Sequence, residues 1–80
     1  MAHTPHELHE EFPEAAAKLH ALKETSAHFR TLSQRYHDVN RQIHRAETEI
    51  EPMDDEALEG LKKTRLHLKD EIATMLAKAA

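Results

Sequence analysis

Between Phe29 and Ile50 the apolar residues stand at Phe29, Leu32, Tyr36, Val39, Ile43, Ala46 and Ile50, in alternating steps of three and four. A helix brings those positions onto one side, whereas a strand would scatter them over both faces. No glycine or proline interrupts the run, so nothing in its covalent chemistry stops the helix. One long helix with a single apolar face is therefore expected here, and that face requires a partner.

The C-terminal third of the chain can supply that partner. Glu51-Pro52 ends the helix, because the residue before proline is pushed out of helical space. Asp54 or Asp55 then caps a third helix, with Glu56 and Glu59 set against its positive end. In that helix Leu58, Leu61, Arg65, Leu68, Ile72, Met75 and Ala79 repeat the heptad spacing, Arg65 being the exception. Two long helices joined by a short link lie antiparallel. Gly60 costs about 1 kcal/mol relative to alanine, too little to break a helix so regularly patterned.

Upstream, Leu8, Phe12, Ala15, Leu19, Leu22 and Ser26 keep the same spacing, but the phase slips between Ser26 and Leu32. A helix break fits this slip, with Thr25 or Ser26 capping the new helix. Thr4, Pro5 and Glu7 read as a capping box with proline in the first turn. Pro13 then interrupts that turn. The expected organisation is one domain over residues 1–80: a lead-in at 1–12, a short helix at 13–24, and hairpin arms at 27–51 and 55–78. The expected fold class is all-α, a long antiparallel helical hairpin preceded by a short N-terminal helix.

The apolar seam should comprise Phe29, Leu32, Tyr36, Val39, Ile43, Leu61, Leu68, Ile72 and Met75. Tyr36, Asn40 and Arg65 are polar groups on or beside it, and groups of that kind fix register more often than they perform chemistry. Asp38 is a candidate partner for Arg65. Leu66, Ala73 and Leu76 form a second, narrower strip, to be covered by the 13–24 helix or by another subunit. Leu66, Leu76, His37, His44, Arg45 and Lys69 are candidates for an outer surface.

Composition narrows the function. Eighty residues allow one small domain, marginal alone unless reinforced by disulfides, metal or oligomerisation. There is no cysteine, which excludes disulfides and suits a reducing compartment. No run reaches the length of a membrane span, and the acidic start, MAHTPHELHEEFPE, lacks the apolar core of a signal peptide. A cytoplasmic location is expected, without membrane contact. The formal charge of −4 is a poor match for nucleic acid, and the arginines of the second helix and the lysines of the third carry no interleaved stacking aromatics.

Eight histidines are an unusual number. His6 with His9, and His44 with Glu47, stand three residues apart, close enough on a helix to share an ion. Neither pair is a specific metal motif. No metal or other cofactor is expected, and solvent-facing positions account for these residues. Imidazoles ordinarily titrate near 6.5, so full protonation would carry the formal charge from −4 to about +4 and could alter self-association. No glycine-rich loop and no nucleophile beside a base occurs, so an enzyme is not expected.

Phe12-Pro13-Glu14, Leu22-Lys23, His28-Phe29 with Leu32, Tyr36-His37 with Val39-Asn40, Ile43-His44-Arg45-Ala46-Glu47 and the run from Leu61 to Ile72 together resemble the YdcH-like family of small bacterial proteins of unknown function. The resemblance spans nearly the whole chain, and Leu68-Lys69-Asp70-Glu71-Ile72 is its most specific part. It implies a helical hairpin and brings no activity, substrate or cofactor. It also implies a partner surface at the polar positions His28, His37, His44, Arg45, Glu47, Lys69 and Asp70. These features together point to an interaction or assembly protein, pairing with itself or with another helical protein. The alternatives are a histidine-dependent metal- or pH-responsive module and, behind it, RNA binding.

Overall fold

A computed structural model of the chain describes residues 6–48 and 53–79. Among these residues four α-helices occur in order: α1, Leu8–Glu11; α2, Ala16–Thr25; α3, Ala27–Glu47; and α4, Asp55–Lys78, with a 3₁₀ turn at Pro13–Ala15 between α1 and α2. There is no strand among the described residues. The fold is all-α, a long hairpin of α3 and α4 preceded by short N-terminal helices.

Each boundary has a local cause. α1 is capped at Glu7, whose backbone N–H donates to the Glu10 carboxylate at 3.4 Å. The expected opening at Thr4 and Pro5 lies outside the described residues. Phe12 leaves helical space (φ −129°, ψ 63°) because it precedes Pro13, and the proline then opens the 3₁₀ turn, where its missing N–H costs nothing. The helix expected from residue 13 therefore starts at Ala16. Ser26 separates α2 from α3 in extended geometry, and its hydroxyl accepts from the Phe29 N–H at 3.1 Å.

α3 closes at Glu47, short of the expected 51. The Thr48 hydroxyl donates to the carbonyl of His44 at 2.9 Å and its N–H bonds the same carbonyl at 3.0 Å, which ties off the last turn. The expected stop at Glu51-Pro52, and Ile50 of the apolar stripe, lie outside the described residues. Asp54 caps α4 through the Ala57 N–H at 2.7 Å, and Asp55 and Glu56 occupy the first turn, favourable against the helix dipole.

The two arms run antiparallel, in a register pinned by two contacts. Arg65 bonds Asn40 at 2.9 Å, and Lys62 pairs with Glu47 at 3.2 Å, so residue numbers fall on α4 as they rise on α3. Phe29, Leu32, Tyr36, Leu68, Ile72 and Leu76 are buried in one cluster, with Val39 and Met75 half-buried against it. Ile43 is fully buried further towards the link, and Leu61 is half-buried.

Leu8 and Leu19 complete that cluster, with Phe12, Ala15 and Leu22 packed at its margin. The N-terminal helices thus fold back over the hairpin. This corrects the expectation for Leu76: it is 7% exposed, because the returning N-terminal segments bring their leucines into the cluster that holds it. Leu66, on the same expected strip, stays 58% exposed. At about 2 kcal/mol per fully buried large apolar side chain, the N-terminal leucines are a substantial part of the stability of so small a domain.

Candidate interaction surface

Several polar contacts meet where residues 6–12 cross the middle of the hairpin. Tyr36 is fully buried and its hydroxyl donates to the His6 carbonyl at 2.5 Å. His6 itself has φ 64°, a left-handed conformation that a side chain tolerates at some cost, so the hydrogen bond holds a strained backbone in place. Glu11 receives Lys69 at 3.2 Å and lies 3.5 Å from His6 Nδ1. Lys69 also sits 6.0 Å above the Phe12 ring, near the limit for a cation–π contact. His37 Nδ1 lies 3.1 Å from Glu7.

Burial pushes the Tyr36 phenol up to about 12, and the nearby Glu11 and Glu7 carboxylates push the same way, while Arg65 works against them. The group is a neutral hydrogen-bond donor, with no sign of activation as a nucleophile or base. Asn40, 1% exposed, accepts the Arg65 guanidinium. Asp38 does not pair with Arg65, contrary to expectation. It accepts from Gln34 one turn earlier, at 3.0 Å, on the exposed side of α3. Asn40 sits on the buried side, where Arg65 can reach it.

Beside this junction an open groove of about 190 Å³ is lined by His6, Glu11, Tyr36, Lys62, Arg65, Leu66 and Lys69. Leu66 is its apolar edge. On the α4 surface, Ala73 and Ala77 follow Leu66 at seven and eleven residues, which puts them on one face. Ahead of Leu66 come Asp55 and Glu59 and then Lys62. That face is acidic at the start of the helix and basic at Lys62, and beyond Leu66 the exposed Asp70 stands on it between Leu66 and the two alanines.

Other candidate positions are dispersed. His9 is exposed and His44 and Arg45 are half-buried on α3. Glu47 turns to Lys62 across the hairpin and His6 to Glu11, so the four candidate metal ligands, His6, His9, His44 and Glu47, are not brought together. Among the described residues no three His, Cys, Asp or Glu side chains gather where they could hold a metal ion. No helix among them is long and apolar enough to cross a membrane.

A second cleft, of about 360 Å³, lies where Glu7, Leu8 and His9 meet Lys23 at the end of α2 and Arg30, Ser33, Gln34 and His37 on α3. The sequence pattern does not point to it. Its only signal there is the heptad separation of Lys23 and Arg30, and the break at Ser26 obscures that.

The fold and its polar junction define a class, that of small α-helical hairpins clasped by an N-terminal segment. The chain belongs to the family described as a protein of unknown function, DUF465, whose model matches residues 29–76, more than half of the chain. The match runs from Phe29 to Leu76, from the first turn of α3 to the last turns of α4, and the YdcH-like resemblance is consistent with it. No curated protein matches the chain, and no solved structure does.

Proposed function

We propose that this protein is a non-enzymatic, cytoplasmic interaction protein that pairs with a second copy of itself through the outer face of α4. The observation that carries this reading is Leu66, a large apolar side chain 58% exposed midway along a 24-residue helix, with the other described residues packed. An isolated exposed leucine is ordinary. This one stands in line with Ala73 and Ala77 and beside a groove.

The charge order supports a second copy as the occupant. Asp54, Asp55, Glu56 and Glu59 precede Lys62, Lys63, Arg65 and Lys69 on the same helix. Two such helices laid antiparallel about Leu66 set Lys62 of each against Asp70 of the other, and oppose their dipoles favourably. A parallel pairing would align like charges. The absence of disulfides in a chain this short leaves association as one of the remaining reinforcements.

Sedimentation equilibrium of the untagged protein over a wide concentration range tests the reading. A mass that is a multiple of 9.2 kDa, reduced to the monomer by Leu66→Lys without loss of helicity, is expected. A wild type that stays monomeric throughout, or a Leu66→Lys variant that still assembles, overturns it; a folded monomer would shift the search to a helical partner of another kind.

A further inference from the structure

We propose that the cleft between residues 7–9, the end of α2 and the first half of α3 is a binding site for a small phosphorylated molecule. Two full cations open onto it, Lys23 and Arg30, in a protein whose formal charge is −4. Neither has a carboxylate partner among the described residues. Arg30 is nonetheless held in place: its Nη1 donates to the Lys23 carbonyl at 2.7 Å. One of five guanidinium N–H groups is used in that bond, and the others remain for an oxyanion.

The one carboxylate lining the cleft is Glu7, and its two oxygens lie 3.1 and 3.2 Å from His37 Nδ1. His37 therefore engages both oxygens of the one acid in the cleft, and no ion pair joins Glu7 to either cation. Ser33 adds a hydroxyl and His9 an imidazole at the rim. Gln34 is committed to Asp38 at 3.0 Å. A phosphoryl group carries close to two charges near neutral pH, so it uses both cations at once, whereas a carboxylate uses one.

The volume, about 360 Å³, falls at the lower end of small-molecule sites and exceeds what a phosphate alone fills. The remainder of the ligand has Leu8 as an apolar wall. The site is separate from the Leu66 face, being made by the opposite margin of residues 6–12.

Inorganic phosphate serves as the probe, titrated into isotope-labelled protein against sodium acetate and sodium chloride at matched ionic strength. Phosphate is expected to shift the amides of Lys23, Arg30, Ser33 and His37, saturably and beyond either control. Arg30→Gln should weaken the response about tenfold, the loss of one charge-assisted hydrogen bond. Lys23→Gln should do the same. Both side chains are on the surface, and circular dichroism would show each variant still folded. Phosphate shifts no larger than those of acetate or chloride, or unchanged in both variants, overturn the proposal.

Discussion

The phenolic hydrogen of Tyr36 is donated to the main-chain carbonyl of His6, thirty residues earlier in the chain, and the ring that carries it has no solvent exposure. This bond joins the N-terminal segment to the hairpin at its midpoint. Replacing Tyr36 by phenylalanine keeps the ring and removes the bond. A loss of about 1 kcal/mol in denaturant unfolding is expected, since His6 is exposed and water can satisfy its carbonyl.

The same residue makes stability depend on alkaline pH. Its folded value of about 12 stands above the ordinary 10, so the folded state holds the proton more tightly. The contribution is complete below pH 10 and is lost as pH rises through 12, on the order of 2 kcal/mol in all. Tyr36 is the sole tyrosine, so ultraviolet titration reads it alone. A midpoint near 10 would contradict the structure, and Tyr36→Phe should abolish this part of the alkaline loss in melting temperature.

Asn40 and Arg65 should be coupled. Arg65→Met deprives a buried amide of a charged donor and should cost about 1.5–3 kcal/mol. Asn40→Leu strands part of the guanidinium and should also destabilise. The double variant, Asn40→Leu with Arg65→Met, replaces both by apolar groups and should recover much of the loss. Strictly additive losses in urea unfolding would show that the 2.9 Å contact carries no coupling.

Gly60 offers a stabilising change. It lies inside α4, and a Cβ built there meets nothing within 4 Å. Gly60→Ala should therefore gain about 0.8–1 kcal/mol from helix propensity alone. For a domain of this size that raises the melting temperature by about 4–8 °C. An unchanged or lower value would place an unseen constraint on this turn.

The two leucines expected on one strip should behave differently. Leu76→Ala opens a cavity in the cluster and should cost about 2–4 kcal/mol. Leu66→Ala, at 58% exposure, should stay within about 0.5 kcal/mol at protein concentrations low enough to keep association out of the measurement. Equal losses would refute the assignment of Leu76 to the core and Leu66 to the surface.

The hairpin is legible in the sequence because its cause is periodic. Six apolar residues from Phe29 to Ala46, in steps of three and four, define one face of α3, and Ser26 and Asp54 are the short polar side chains that helix starts require. Residues 6–12 are not legible in the same way. The Tyr36–His6 bond joins a side chain to a backbone carbonyl, and no residue type at position 6 announces it. Leu76 is misplaced by its pattern for a related reason. A strip on a helix does not reveal whether its cover comes from the same chain, and α2, rich in alanine, shows little preferred face of its own. Charge alone pairs Asp38 with Arg65, yet the helix turns Asp38 towards solvent and presents Asn40 instead.

The clasp of residues 6–12 over the hairpin makes the molecule two-layered in free energy. It is held by one buried leucine, by Phe12 at the margin of the core and by polar ties that are partly exposed, whereas α3 alone contributes Phe29, Leu32, Tyr36 and Ile43 to the interior. The clasp is therefore expected to open by itself before the hairpin separates, and amide hydrogen exchange should show Glu10 to Phe12 protected less than the middle of α3. Each such opening gives the Tyr36 hydroxyl to water while both long helices remain intact.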